Sequence, residues 1–372
     1  MRGANVQSKD LRAVGPFARA AALVVDELIR WTLILAGVYG LASIGVLGFA
    51  NSLWVVLFVY GLYGASFDVL AAGQTPGKRS QGIAVVNSDG TPIRFGASLV
   101  RNALLLVDAL PFAYLLGLTT MMVTRRFRRF GDLVSGALVV YRRTEYEPWE
   151  AADHGCVVVR EAASTLYGAW CVTAVPIFLL LALLMWSSPA TAGFALWWFK
   201  PLYERMPMWI ARERMHGRSP TIREALSKWR ELGAGLFAML TYRRLSPTRS
   251  FDASIDVFER LRGSARRARA TLLHHRSGTT ALWLTVICAH IEAFFVTAAI
   301  VAMLWMTPHE IDSDWMSWVI AASGDRFEWA SNLVYLVVIG LVGPMYAVAG
   351  FMLYANRLSE LEGRPSLVPR PV

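Results

Sequence analysis

Charge is scarce in this chain. Only 17% of its 372 residues are Asp, Glu, Lys or Arg, where a soluble protein of this length carries about 25%. The shortfall excludes an ordinary soluble protein, and the 55% apolar content and mean hydropathy of +0.42 agree. Lysine is scarcer still: Lys9, Lys78, Lys200 and Lys228 are the full set, so arginine carries most of the net charge of +10. No basic soluble stretch with stacking aromatics accompanies those arginines, which excludes nucleic acid as a partner. In an apolar chain they read as topology signals, with arginine-rich loops on the cytoplasmic side. The three cysteines, Cys156, Cys171 and Cys288, have no CxxC spacing. Neither a disulfide framework nor a metal site is expected from them. A cleavable signal is not expected either, because the first apolar stretch, 17–50, is too long for a signal core.

Apolar windows of membrane-spanning length recur along the whole chain and imply a multi-pass helical membrane protein. As one helix, 17–50 would be about 50 Å long, against a hydrocarbon core of about 30 Å. The expected span is therefore 31–50, entered through an amphipathic turn holding Arg19, Asp26, Glu27 and Arg30. A second span, 53–72, carries Asp68 near its far end. It leads into Gly73-Gln74-Thr75-Pro76-Gly77-Lys78-Arg79, where Pro76 and Gly77 suggest a tight turn. A β-branched run at 82–86, ending at Asn87-Ser88-Asp89-Gly90, reads as a strand and turn. A second such run at 136–141 could pair with it if both lie on one side of the membrane.

The stretch 97–123 decides that side. It begins inside and ends in Arg125-Arg126-Phe127-Arg128-Arg129, which also belongs inside. Pro111 breaks it in the middle, so a re-entrant hairpin of two half-helices fits better than a span. After a polar linker at 148–154 comes a second unit. It comprises a span at 157–186, a return at 190–210 interrupted by Lys200-Pro201 and Met206-Pro207, and an interfacial helix at 221–242. Thr221 and Glu224 are spaced as a capping box for that helix. A basic amphipathic arm at 251–276 should lie on the cytoplasmic leaflet. A span at 279–306, an acidic outer loop at 307–329 and a span at 331–354 complete the chain. The fold class expected is thus an all-α polytopic membrane protein. It has about six spans, the hairpin, a small cytoplasmic two-stranded β-element and amphipathic interfacial helices. Two domains are expected, 1–147 and 148–372, with both termini cytoplasmic.

Two octapeptides stand out, Arg19-Ala-Ala-Ala-Leu-Val-Val-Asp26 and Arg101-Asn-Ala-Leu-Leu-Leu-Val-Asp108. Seven helical steps are almost two turns, so each pair of charges shares one stripe, about 10 Å apart. Charges within a bilayer cost about 2.5–3.5 kcal/mol each on insertion scales and need partners. Asp26, Asp68 and Asp108 converging on one leaflet would suit a cation or proton site, with Arg19 and Arg101 as counter-charges. Packing is the first account of these charges, through Arg19–Asp108 and Arg101–Asp26 pairs, with Asp26–Arg30 as a local alternative. Glu292 lies within a span and faces away from His290, so it stands alone as a further buried ionisable group. Lys78, Arg79, Arg125, Arg126, Arg128 and Arg129 are placed to meet anionic headgroups. Asp132 should cap a helix or pair with a neighbouring arginine. His274-His275 has no metal-ligand spacing, and the tryptophans near helix ends read as an interfacial belt.

The same residues carry a resemblance. Arg19 with Asp26, Asp68, Gly73-Gln74-Thr75-Pro76-Gly77-Lys78-Arg79, Arg101-Asn102 with Asp108, and Gly131-Asp132-Leu133 occur in the order typical of the bacterial RDD family. The first 143 residues resemble that family's membrane domain. Arg30 is an added charge, and Asp68 stands where the family more often has glutamate. The resemblance implies a bacterial inner membrane and a transport role such as monovalent cation/proton exchange. The other reading is a non-transporting scaffold that recruits a protein partner, or a second copy of the chain, at the cytoplasmic face. No hydrolase or transferase constellation is present, so no enzyme, cofactor or metal is expected. The second unit resembles only uncharacterised bacterial membrane domains.

Overall fold

The computed structural model describes residues 11–45, 52–108, 114–142, 147–306 and 325–363. These are mostly helical with one small sheet, and they divide into two units that part between Asp153 and His154.

In the first unit the β-branched runs pair as β1 (Ile83–Asn87) and β2 (Ala137–Tyr141), antiparallel from Ile83 opposite Tyr141 to Asn87 opposite Ala137. An N-terminal segment adds to the other edge of β2. Ala13 bridges Val140, Val14 N–H donates to Val139 at 3.0 Å, and Tyr141 N–H donates to Arg12 at 3.0 Å. Next comes α1 (Pro16–Ser43), headed by a proline that loses no hydrogen bond in a first turn. The expected entry turn and span are one helix here, because no proline or glycine separates Asp26 from Trp31. The unit continues through α2 (Ser52–Leu70), α3 (Pro76–Ser80), α4 (Phe95–Ala103) and α5 (Leu105–Asp108). It then adds α6 (Leu115–Val123) and α7 (Phe130–Ser135). Pro111, where the hairpin was expected to turn, lies outside the described residues. The flanking pieces are short, with α6 entered through Tyr114 at a φ of 65°.

The expected linker at 148–154 is helical. Pro148 opens α8 (Pro148–Glu161), and Trp149, Ala151 and Ala152 are buried, so packing overrides the polar composition. The second unit contains α9 (Ala163–Leu184), α10 (Pro189–Trp198), α11 (Lys200–Tyr203) and α12 (Arg205–Met215). The interfacial helix expected at 221–242 is three short helices, α13 (Ile222–Ser227), α14 (Trp229–Leu232) and α15 (Leu236–Leu240). Its Thr221–Glu224 capping box is present, but Gly235 takes a φ of 68° and ends continuity. α16 (Arg249–Ser254) runs into a π-helical turn at Ile255–Glu259 and stops at Arg260, whose φ is 53°.

The basic arm expected at 251–276 is therefore split. Its first part packs inward around the buried Phe251, and the rest joins the following span as α17 (Gly263–Met306). Nothing stops that fusion, since a single interior glycine such as Gly278 costs a helix only about 1 kcal/mol. At 44 residues α17 is far longer than the roughly 20 residues a bilayer needs. α18 (Asp325–Leu361) is also longer than the expected span and is the buried centre of this unit. Its glycines let neighbours close in: a methyl on Gly340 or Gly343 would sit 3.0 or 3.2 Å from the Trp170 ring. Leu336 and Ile339 join Trp170, Ala174, Leu196 and Tyr203 in the core beside it. Among the described residues, four helices are long and apolar enough to cross a membrane: α2, α9, α17 and α18.

Candidate functional site

Asp132 is the hub of the first unit. It occupies the third position of α7, where its carboxylate reaches back to the Arg129 N–H at 3.3 Å and caps the helix. Three guanidinium groups converge on it from separate elements: Arg19 at 2.6 Å from α1, Arg101 at 2.8 Å from α4, and Arg129 at 3.2 Å. Burial alone would raise this carboxyl, but Arg101, Arg19 and Arg129 together hold it well below the usual carboxylate range.

Asp68, in the last turn of α2, is a second centre. Lys78 donates to it at 2.7 Å, Arg101 at 3.0 Å, Ser98 at 2.9 Å and Asn102 at 3.3 Å. Ser98, Arg101 and Asn102 lie three and four residues apart on α4, so one helix face supplies all three donors. Arg101 thereby links Asp68 to Asp132. Burial pushes the Lys78 ammonium down to about 8, against the pull of Asp68.

The remaining carboxylates lie to either side. Asp108 accepts from the Phe130 N–H at 3.0 Å and stands 3.5 Å from Arg129, which also donates to the Tyr114 hydroxyl at 2.6 Å. Asp26 takes the Thr75 hydroxyl at 2.6 Å, the Gly77 N–H at 2.8 Å and the Tyr63 hydroxyl at 2.9 Å. It ties α3 to α1, and only glycine fits at position 77, where a methyl group would collide with the Ala22 carbonyl.

These partners replace the expected ones. Arg19 meets Asp132 rather than Asp108, and Arg101 meets Asp68 and Asp132 rather than Asp26. Arg30 pairs with Glu27 and stacks near Tyr63, so the Asp26–Arg30 alternative is not used. The three aspartates expected to share one site each have their own donors. Among the basic residues expected at lipid headgroups, Lys78 and Arg129 turn inward, and Arg128 donates to the Ala137 and Asp132 carbonyls. Arg79, Arg125 and Arg126 are exposed. For Lys78 and Arg129 the cause is the same: a buried carboxylate without a cation is costlier than a lipid-facing cation lost.

Asp153 was missed altogether. It accepts from the Gly15 and Phe17 N–H groups at 2.9 Å each and from the Tyr141 hydroxyl at 2.7 Å, so it caps α1, whose own Gly15 has no side chain to do so. Burial raises its carboxyl to about 6 against these hydrogen bonds. No local pattern announces a cap supplied from so far along the chain.

The second unit has its own buried charges. Both oxygens of Glu292 accept from Lys200, at 2.6 and 2.7 Å, while His290 is exposed and turns to the Val286 carbonyl. Lys200, an isolated lysine beside Pro201 in an apolar run, was the legible sign of this pair. His274 does meet a carboxylate, Asp252 at 2.8 Å, supplied by α16. Arginines here also serve helix ends. Arg244 donates to the Trp197 and Trp198 carbonyls that close α10, and its guanidinium lies 3.9 Å over the Trp197 ring. Arg205 donates to the Leu232 and Ala234 carbonyls at the end of α14, and Trp198 to Leu240 at the end of α15. Trp197 and Trp198 are therefore more than an interfacial belt; Trp315 and Trp318 lie outside the described residues. Among the described residues, no group of three or more His, Cys, Asp or Glu side chains is placed to hold a metal ion.

Comparison with known proteins gives one match. Residues 13–136, which include Arg19, Asp26, Asp68, Arg101, Asp108 and Asp132, match the RDD family. No curated protein and no solved structure matches the chain.

Proposed function

We propose that this membrane protein, with its RDD-type first unit, is a non-enzymatic, multi-pass scaffold whose buried charges clasp the membrane helices to a small β-element. One observation carries the reading: Asp132 already has three arginines, and Asp26 and Asp68 have their own protein donors. A cation would have to displace them. In this proposal the chain sits in a bacterial inner membrane with its termini, sheet and basic helix ends in the cytoplasm. Arg79, Arg125 and Arg126 face anionic headgroups, and the exposed Arg260, Arg262 and Arg267 meet a protein partner. The 97–123 segment enters and leaves on the cytoplasmic side.

A second reading, monovalent cation/proton exchange, is favoured by Lys78. It is a titratable cation seated on Asp68, and burial already lowers its hold on the proton to about 8. A cation that replaced the ammonium would release that proton. Everted vesicles discriminate the two. The scaffold reading expects no change in internal pH when Na⁺ or K⁺ is added. Flux that disappears in a folded Asp68→Asn variant would establish exchange instead.

A further inference from the structure

Around one point in the second unit, buried positive charge exceeds buried negative charge. Glu204 and Glu292 are the carboxylates, Lys200, Arg244 and Arg249 the cations, and each is at least nine-tenths buried. Lys200 is committed to Glu292 through both oxygens. Glu204 stands 4.0 Å from Lys200 and 3.5 Å from Arg249. Arg244 forms no ion pair among the described residues, and Arg249 acts on it as a like charge.

An arginine cannot escape burial by losing its proton, so the charge must be met in place. The α10 carbonyls and the Trp197 ring meet part of it, since a helix C-terminus offers about half an elementary charge. The rest falls on Glu204, which already faces Lys200 and Arg249. Two donors are left over: Arg244 Nη1 and Arg249 Nε are buried without a hydrogen-bond partner, as is the hydroxyl of the adjoining Ser250. Tyr335 of α18 is within electrostatic reach of both arginines and both glutamates, so α11, α12, α16, α17 and α18 all contribute to this centre.

We propose that the second unit binds a small monovalent inorganic anion, of chloride size, between Arg244 and Arg249. Among these five groups one positive charge is left over, which a single negative charge offsets; the neighbouring buried Arg205, which also acts on Glu204, is set first against Asp256. The side chains around the position are closed to solvent, which leaves no room for a headgroup tethered to a lipid. The anion completes the charge balance and accepts from the two orphan guanidinium N–H groups. This site is independent of the Arg–Asp network in the first unit.

The test uses the full chain purified in detergent, at fixed pH and ionic strength, with sodium gluconate replaced stepwise by sodium chloride. Thermal unfolding followed by tryptophan fluorescence should show a midpoint that climbs with chloride and then saturates. Iodide should also quench a part of the fluorescence that Trp197→Phe removes. Arg249→Gln should abolish the response, and Arg249→Lys, which keeps the charge but loses the Nε donor, should weaken apparent affinity about tenfold, the worth of one charge-assisted hydrogen bond. Equal midpoints in gluconate and chloride would overturn the proposal and leave water as the partner of the orphan donors. An undiminished chloride response in Arg249→Lys would overturn it too, and that variant stays informative if Arg249→Gln does not fold.

Discussion

Buried arginines in the first unit end on carboxylates, and two in the second, Arg205 and Arg244, end on backbone carbonyls. Arg19, Arg101 and Arg129 share Asp132, while Arg244 and Arg205 close α10 and α14. The two solutions answer different problems. Helices α1, α4 and α7 are far apart in sequence, and a carboxylate that takes three guanidinium groups ties them at one point. From α10 to α16 the second unit is a run of short helices, whose last carbonyls have no intrahelical donor and cannot be left bare in an apolar interior. The cost of failure differs accordingly: losing the aspartate strands charges, whereas losing a helix-end arginine strands only neutral carbonyls.

Asp132→Asn should therefore do the most damage. It leaves three buried guanidinium groups around a neutral amide, and breaking a buried pair costs about 3–5 kcal/mol. The check is the unfolding midpoint of the purified protein, and a loss smaller than that of any helix-end variant would erase the contrast. In the second unit Glu292→Leu alone should cost about 3 kcal/mol, because Lys200 keeps only the more distant Glu204, whereas Lys200→Met with Glu292→Leu should be close to neutral. If the double variant is as damaged as the single one, the pair does more than balance charge. Arg244→Gln should come next, at about 2 kcal/mol for the carbonyls left bare. Thr221→Ala, which removes half of the capping box of α13, should cost about 1 kcal/mol. Denaturation series on the same preparation rank all four.

Much of this comparison could be read from the residues alone, for reasons that can be named. The β-branched runs at 82–86 and 136–141 betray strands because alternation and turn chemistry are local, and they do pair. Arg101 and Asp132 were visible as charges that an apolar surrounding obliges to find partners. Which partner each would find was not visible. The choice of Asp132 over Asp108 for Arg19 depends on how α7 enters beneath α4, a tertiary fact with no periodicity. Helix ends failed for a related reason. The polar composition of 148–154 suggested a linker, but Asp153 and Trp149 are polar and aromatic groups with buried tasks. The long α17 was split in expectation because its charge changes abruptly near Arg276, and a charge boundary is not a helix stop.

The central claim is that the first unit's charges are a structural clasp and that Asp132 holds it. A double-mutant cycle on Arg19 and Asp132 tests this most directly, since their 2.6 Å contact is the one ion pair Arg19 makes among the described residues. Arg19→Gln, Asp132→Asn and the double variant are unfolded in the same detergent. The clasp predicts strong coupling, with the double variant more stable than the sum of single losses implies, by about 1–3 kcal/mol. Additive losses, with no coupling, would contradict it.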